Sequence, residues 1–421
     1  MGNEHSNKKQ GSGSLKKNLS RKIKPEDVKK IKSLTNGKDV LTKVDVFELW
    51  SMEIKDSLIN FYLKYYFPDK TEKIDLSTFI SLYYELDGSN IDRKVEILLC
   101  FIGSYGDLIN YVQALLNSCL FIYQSRDDKE LWSSLNIDSD KGSLIVYANY
   151  LCMGDCNNEI TFDSLQKWLS TTHEIAYLHK YVLSHMFGFN TSQRIIPTPV
   201  YNPSFTLSIL DYSHIMFLNL NLMPEFQKQW RLLFSSQFQG ESFTRLMACA
   251  INQGPLLVLV KDDKANIFGA YASTNLTLCP KFYGDQNSFL FTLKPDMKVF
   301  NSSGFNENFI YLNSNQQTLP NGLGFGGQFE YWGLWIDSEY GQGECNKTCS
   351  TFKDYQMLSH DKHFKIMHIE LWGVGIPPPT AEEKGERSVL DADPTASALL
   401  ELAGKTKHSA GLREPDIELE N

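Results

Sequence analysis

The spacing of apolar residues changes near Pro224, and this change limits the chain to two differently built halves. Before this point, apolar residues recur at the three- and four-residue spacing of amphipathic helices. After it, short apolar runs such as 256–260 and 267–272 have the length of strands and are separated by polar or glycine-rich segments. The sequence therefore predicts an α+β protein, with an all-helical N-terminal half and a C-terminal antiparallel β-sandwich that carries short helices.

Composition shifts and proline-rich segments divide the sequence into four predicted parts. Residues 1–24 form a basic tail and residues 25–223 a helical domain. Residues 224–376 form the β domain, with a polar, proline-containing connection over 190–203 ahead of it. Residues 377–421 hold a linker, a short helix and an acidic tail.

The helical half begins with a typical start signal. Pro25 stands at the first helical position, and Glu26 and Asp27 place acids in the first turn. The stripes that follow are interpreted as packed core rather than as a cofactor site. They are Ile54, Leu58, Ile59, Phe61, Tyr62 and Tyr65, then Ile97, Leu98, Phe101 and Ile102, then Leu108, Tyr111, Val112, Leu115 and Leu116.

Two segments of the helical half resemble EF-hand calcium loops that have lost essential ligands. A working loop has a glycine at its sixth position and a bidentate glutamate at its twelfth. The first segment keeps Asp69, Thr71 and Asp75, and the second keeps Asp155, Asn157 and Thr161. The sixth and twelfth positions hold Glu72 and Thr78 in the first segment, and Asn158 and Ser164 in the second. We expect an EF-hand-like shape without bound metal.

The overall charge and the cysteine content exclude some classes of protein. A net charge of −9 argues against nucleic acid as a partner. Eight thinly spread cysteines and the lack of an apolar leader indicate a reduced, cytoplasmic protein without structural disulfides. No apolar run has the length needed to cross a bilayer.

The first residues match the pattern for N-myristoylation, with Gly2 exposed once Met1 is removed and Ser6 at the required position. A single myristoyl chain gives only reversible attachment, so a second signal is needed. The lysines and arginines within residues 1–24 can supply that signal on an anionic membrane surface. The sequence predicts lipidation at Gly2; the alternative is a chance match in a solvated tail.

The C-terminal part contains one predicted helix. Pro377 begins a stiff triple-proline linker, and further on Asp393 followed by Pro394 is a good N-cap and first position. So short a helix is unstable alone and must dock, either on its own domain or in the groove of a partner. The face predicted to dock consists of Ala396, Leu399, Leu400 and Ala403.

Several separate motifs occur in a fixed order within the β half, and together they resemble the TLDc domain of eukaryotic proteins. They are Trp230-Arg231-Leu232-Leu233-Phe234-Ser235, Gly240-Glu241-Ser242-Phe243, the glycine-rich run from Asn321 to Gln328, Trp332-Gly333-Leu334-Trp335, and Glu370-Leu371-Trp372-Gly373-Val374-Gly375. The residues that carry the resemblance most specifically are Trp230, Glu241, Ser242, Phe243, Gly326, Trp332 and Trp335.

The resemblance implies a fold of two antiparallel sheets and a regulatory rather than catalytic role. Proteins of this family bind the vacuolar proton-pumping ATPase. With the N-terminal lipidation pattern, the EF-hand-like half and the C-terminal helix, the resemblance extends to a branch tied to signalling by the mTOR kinase on lysosomes. It therefore implies that the pump and components of the mTOR kinase complex are partners, and that the chain is peripheral on the cytosolic face of the lysosomal membrane.

The β half offers little that suggests catalysis. The glycines from Gly322 to Gly327 are interpreted as a loop that permits close backbone approach, because no Walker lysine accompanies them. Glu241 and Ser242 form no triad without a suitably placed histidine, so Ser242 is interpreted as a helix cap. We predict no catalytic residue and no cofactor.

Two alternative chemistries involve cysteine or histidine side chains of the β half. Cys345 and Cys349 with His360 and His363 have cysteines and histidines together, but the spacing of the histidines does not fit a structural zinc site. We predict no metal. The competing function is protection against oxidative damage, with Cys249 or Cys279 as the scavenging thiol, although their apolar neighbours indicate inert cysteines.

Overall fold

The computed structural model describes residues 24–69, 71–88, 90–125, 132, 141–152, 160–189, 191–201 and 207–378. The chain divides into two compact units, Met1–Ile376 and Pro377–Asn421. Gly2 and the docking face of Ala396, Leu399, Leu400 and Ala403 lie outside the described residues, as do Asp155, Asn157 and Asn158. Those features stay predictions.

The described residues form twelve α-helices, ten of them before Pro224, so the predicted helical half is confirmed. The first helix begins at Pro25, as its start signal indicates. The helices are α1 Pro25–Leu34, α2 Lys43–Ser51, α3 Asp56–Tyr66, α4 Leu76–Asp87, α5 Ile91–Leu99, α6 Tyr105–Gln124, α7 Lys141–Cys152, α8 Phe162–Thr171, α9 His173–Met186, α10 Tyr212–Leu220, α11 Ser236–Gln239 and α12 Phe243–Ala250.

Helices α1 to α4 form two helix–loop–helix units whose loops are joined by a short antiparallel ladder. Strand β1, Val40–Thr42, pairs with strand β2, Lys73–Asp75, and Leu41 lies opposite Ile74. This is the paired EF-hand arrangement. The sequence predicted the loop that begins at Asp69, between α3 and α4. It did not predict the loop between α1 and α2, because the segment before β1 does not carry the ligand pattern. Asp75, a candidate calcium ligand, instead caps α4 by accepting a hydrogen bond from the amide of Thr78 at 2.7 Å.

Three buried side chains inside the helical half are joined by hydrogen bonds. The Nε2 atom of His179 on α9 is 2.6 Å from the hydroxyl of Tyr111, which is 3.2 Å from the hydroxyl of Tyr62. His179 is 1% exposed, and burial lowers its pKa to about 3, with a smaller contribution from the positive charge of Lys94. His179 is therefore neutral in the folded protein at neutral pH.

This histidine is expected to make the protein less stable in mild acid. When the pH falls below about 6.5, the ordinary pKa of histidine, His179 binds a proton in the unfolded chain but not in the folded chain. The free energy of unfolding therefore falls as the pH falls. Between pH 7 and pH 5 the loss from this group is about 2 kcal/mol. Urea unfolding at both pH values should show a weaker pH dependence in His179→Gln than in the unmodified protein.

The exposed His363 provides the control, since its side chain is 70% accessible. His363→Gln should keep the pH dependence of the unmodified protein. An unchanged pH dependence in His179→Gln would contradict the assignment of this effect to the buried imidazole.

The described strands from residue 198 onward build two joined sheets, and the α+β prediction is confirmed. They are β3 Thr198–Val200, β4 Gln229–Ser235, β5 Leu256–Asp262, β6 Ile267–Ala272, β7 Cys279–Tyr283, β8 Phe289–Lys294, β9 Lys298–Phe300, β10 Ile310–Asn313, β11 Gly322–Gln328, β12 Tyr331–Asp337, β13 Gln342–Glu344 and β14 His363–Val374.

The long strand β14 connects the two sheets. Its first residues pair with β13, which continues the order β12, β11, β10 and β7. Its later residues lie between β4 and β5, and β5 continues the order β6, β8 and β9. All these pairs are antiparallel, as predicted. One departure is β3, which lies in the predicted connection over 190–203 and pairs in parallel with β4.

One large apolar cluster lies between the two sheets, and another lies between the sheet that contains β5 and the helices. The space between the two sheets is filled from both sides, by residues that include Val258, Phe268, Leu290, Ile310, Phe325 and Leu334. Leu257 and Leu259, which alternate with the inward residues of β5, join the helical half in the other large cluster. Both faces of β5 are therefore covered, as its uninterrupted apolar sequence predicts.

The glycine-rich run is a strand, so its interpretation as a loop was wrong. Residues Gly322–Gln328 form β11 in the interior of the sheet, between β10 and β12. A β-carbon on Gly322 would lie 2.5 Å from the indole of Trp335, and one on Gly324 would lie 2.5 Å from the indole of Trp332. These glycines make room for the tryptophans of the neighbouring strand, and that requirement explains glycine in a strand.

Candidate interaction site

Three tryptophans meet where the helical half packs against the β sheet. The ring centroids of Trp132 and Trp372 are 5.1 Å apart, and Trp230 lies 6.2 Å from Trp132 and 6.3 Å from Trp372. All three side chains are fully buried. The indole nitrogen of Trp132 donates to the carbonyl of Pro197 at 2.6 Å, which fixes the segment before β3. Trp230 thus acts in packing between the two halves.

A buried carboxylate lies beside this cluster. Glu370 on β14 is 1% exposed and accepts hydrogen bonds from the hydroxyl of Ser208 at 2.8 Å, the amide of Ile209 at 2.9 Å and the indole of Trp372 at 3.0 Å. Burial raises the pKa of Glu370, and these donors partly oppose that rise. No described cation pairs with it, so its role is to hold the segment around Ser208 against the sheet.

The Glu241-Ser242-Phe243 motif begins α12, as predicted. The Ser242 hydroxyl accepts a hydrogen bond from the amide of Arg245 at 3.3 Å, and Phe243 is buried between the sheets. Glu241 is exposed and favours the protonated form of His368, whose pKa is nonetheless lowered by burial and by Lys261. Within the described residues, no hydrogen bond joins Ser242 to His368, and the motif has the geometry of a cap rather than a triad.

Trp332 and Trp335 belong to a third apolar cluster, separate from the two cores. Because Leu323 and Phe325 of β11 face the inside of the sandwich, this cluster lies on the outer face of the sheet. The two indoles stack at 4.4 Å between centroids, with their planes 21° apart. We name it the outer aromatic cluster; its members are Phe282, Tyr311, Phe329, Trp332 and Trp335.

Gly326 of β11 lies against the inner core, on the face opposite the outer aromatic cluster. Its φ of +71° lies in the left-handed region, and a β-carbon would come 2.6 Å from the ring of Phe352 and 2.7 Å from the sulfur of Cys349. Gly326 therefore lets a residue with left-handed backbone pack within β11 directly against the inner core. The signature glycine is structural, like the signature tryptophans.

Several aromatic side chains remain exposed at the edge of the β half. Phe329 in the turn between β11 and β12 is 38% exposed, and Tyr331, the first residue of β12, is 41% exposed. Phe305 is 86% exposed. Its amide donates to the hydroxyl of Ser303, which itself donates to the carbonyl of Ser350 at 2.5 Å. Exposed aromatic groups on anchored backbone are typical of surfaces that bind other proteins.

Cys345 and Cys349, two of the four cysteines of the β half, are poorly suited to redox chemistry. Burial raises the pKa of the Cys345 thiol to about 11 and also raises the pKa of Cys349. A raised pKa lowers the thiolate fraction on which reactivity depends. Cys249 and Cys279 are half-buried.

The residues considered for zinc have other surroundings. His360 lies beside Asp361 and Lys264, and His363 lies 3.8 Å from Glu344. Among the described residues, no group of three histidine, cysteine, aspartate or glutamate side chains could hold a metal ion. No helix within the part of the chain that the structure describes is long and apolar enough to cross a bilayer.

The predicted signature residues are not brought together at one point. Trp230 lies at the junction with the helices, Phe243 and Gly326 lie at the inner core, and Trp332 and Trp335 lie on the outer face. Sequence reasoning missed the contact between Glu370 and Ser208, and the partnership of Trp132 with Trp372. An acid inside an apolar strand was the available signal for Glu370, since such a group requires buried partners.

Comparison with known proteins gives a consistent result. A family described as the TLDc domain matches residues 204–375. MTOR-associated protein MEAK7 of Gallus gallus is 34% identical over 366 residues, which cover 80% of this chain and 78% of that protein. The Homo sapiens protein of the same name is 44% identical over 214 residues, which cover 50% of this chain and 47% of that protein.

A more distant similarity extends to a protein of a different name. Nuclear receptor coactivator 7 of Homo sapiens is 32% identical over 235 residues, which cover 55% of this chain but 23% of that protein. The likeness to the MEAK7 relatives thus reaches into the helical half, because 80% coverage exceeds what the β half alone can supply.

Proposed function

The chain belongs to the TLDc-domain family, and we propose that it is a non-catalytic regulatory protein that acts by binding other proteins on the cytosolic face of lysosomes. Its proposed partners are the vacuolar proton-pumping ATPase and components of the mTOR kinase complex. The pump follows from the family resemblance. The mTOR association is proposed from the name of the relatives that are 34–46% identical to this chain.

This proposal rests mainly on the observation that the family residues serve packing and helix capping. Trp230, Phe243, Gly326, Trp332 and Trp335 stabilise the sandwich or its junction with the helices, and Ser242 caps a helix. A catalytic site needs a nucleophile or base placed beside a reacting group. The motif residues instead build a rigid scaffold, and such a scaffold suits recognition of a partner.

Membrane attachment is proposed through two weak signals that act together. The lipid would be joined to Gly2, and the basic residues of the first 24 would meet anionic headgroups. Gly2→Ala is expected to move most of the protein from the membrane fraction to the supernatant, because the basic residues alone bind weakly. Cell fractionation with quantitative immunoblotting measures this.

A matched control keeps the lipid and changes a neighbour. Asn3→Ala leaves Gly2 in place and should keep the original distribution. If Gly2→Ala remains on membranes to the same extent as Asn3→Ala, the lipid anchor is excluded.

The docking face of the C-terminal helix is proposed to insert into a groove on the pump. Leu399→Asp combined with Leu400→Asp would place two charges in that groove, and we expect binding to purified ATPase to weaken about 100-fold or more. Binding of the purified full-length chain to the immobilised pump measures the effect.

The control places the same two charges on the other side of the predicted helix, as Ser397→Asp with Ala398→Asp. It should bind like the unmodified chain. Equal weakening by both pairs, or none by either, would rule out the groove. Protection of cells against peroxide without any binding to the pump would favour the competing oxidative-stress function.

A further inference from the structure

The EF-hand-like pair formed by α1 to α4 raises the question of what fills its groove. In calcium sensors, the ion opens such a pair and exposes an apolar groove that takes an amphipathic helix. Here the loop between α3 and α4 lacks the ligands for calcium, and its Asp75 caps a helix. The apolar space between the helices is nevertheless occupied.

The occupant is the C-terminal end of α9 with the three residues that follow it. Phe187 is 1% exposed, and its ring centroid lies 5.0 Å from Phe79, 5.7 Å from Trp50 and 5.9 Å from Tyr83. Phe189 lies 4.5 Å from Tyr83 in an edge-to-face contact. Two aromatic anchors of one segment are thus inserted among side chains of α2 and α4.

Polar contacts fix the same segment. The indole nitrogen of Trp50 donates to the carbonyl of Met186 at 3.2 Å, which satisfies one of the orphan carbonyls at the helix end. Gly188 adopts a φ of +64°, and the amide of Phe189 donates to the carbonyl of Ser184 at 2.7 Å. This is a Schellman ending, which reverses the chain and lets Phe187 and Phe189 both contact the pair.

We infer that the EF-hand-like pair is a helix-binding module whose ligand is the chain's own segment 184–189. Because the ligand is tethered, its effective concentration is on the order of millimolar, and the groove stays closed to other helices. A partner helix with two aromatic anchors could enter only where this segment is displaced. This inference does not depend on the proposed pump binding.

The test uses a synthetic peptide of residues 173–189 labelled with a fluorophore. Its anisotropy is followed with the full-length chain, unmodified or carrying Phe187→Ala with Phe189→Ala. The variant has released its own ligand and is expected to bind the peptide at least about 10-fold more tightly than the unmodified chain. Calcium should not change either affinity.

A peptide carrying the same two alanines is the control and should not bind. If the folded variant fails to bind the native peptide, or the unmodified chain binds it equally well, the inference is overturned. Circular dichroism establishes whether the variant is folded.

A second measurement decides the matter if the double variant does not fold. Hydrogen exchange on the unmodified chain should show the amides of Phe187 and Phe189 exchanging ahead of those of α4, because a tethered ligand can leave its site while the site stays folded. Exchange of these two amides only together with α4, as one cooperative unit, would overturn the inference, because the segment would then be a fixed part of the core rather than a displaceable ligand.

Discussion

Replacing Trp372 with alanine is expected to lower the free energy of unfolding by about 3 to 5 kcal/mol, as large truncations in a packed core do. The indole is fully buried against Trp132 and Trp230, and it donates a hydrogen bond to the buried Glu370. The variant leaves a cavity between the helical half and the sheet and also removes one of the donors that solvate a buried carboxylate. Urea unfolding followed by circular dichroism measures the loss.

Ile376 provides the control, because it is 84% exposed just beyond β14. Ile376→Ala should change the free energy of unfolding by less than about 0.5 kcal/mol. The shared apolar cluster also predicts that helices and sheet unfold in one transition. A loss below about 1 kcal/mol for Trp372→Ala would contradict the junction described above.

Replacing Gly324 with valine is expected to cost about 3 kcal/mol, at the upper end of ordinary overpacking. The new β-carbon would lie 2.5 and 2.6 Å from two atoms of the Trp332 ring and 3.0 Å from Trp335. Those rings stack on each other at 4.4 Å, so neither can move away without disturbing its partner. Thermal and urea unfolding of the variant measure the effect.

Gly106→Val is the matched control for the same change of side chain. Gly106 is exposed in the first turn of α6, and its nearest atom would be 3.7 Å from the new β-carbon. The free energy of unfolding should change by less than about 0.5 kcal/mol. Equal behaviour of the two variants would mean that the glycines of β11 are not spaced to fit the tryptophans.

Local patterns predicted much of this fold because they act over a few residues. Pro25 begins a helix, Ser242 caps another, and the apolar run of β5 is covered on both faces. Each depends on one turn or on one strand, which a single sequence displays directly.

Features that depend on distant partners could not be predicted in the same way. Strand β11 consists largely of glycine because Trp332 and Trp335 of the next strand lie over it, and nothing within β11 itself reveals this. Likewise, Glu370 is held by Ser208, which is 162 residues away in the chain. The ladder between β1 and β2 joins two loops, of which only one resembled a calcium site.

The same distinction between local and distant determinants applies to the candidate interaction site. The sequence identified the family residues, but not that they serve packing, because burial is set by the whole fold. The lipidation pattern at Gly2 and the face of Leu399 and Leu400 can be predicted from local spacing, but that spacing does not encode the membrane and the pump groove that we propose as their contacts.

Binding of another protein by the β half is the central proposal, and cross-linking on lysosomal membranes tests it most directly. The purified full-length chain is bound to the membranes, treated with a lysine-reactive cross-linker and analysed by mass spectrometry. We predict links from the exposed lysines of the β half, such as Lys281 and Lys347, to subunits of the proton-pumping ATPase. Saturable membrane binding without any such link to a pump subunit would contradict the account.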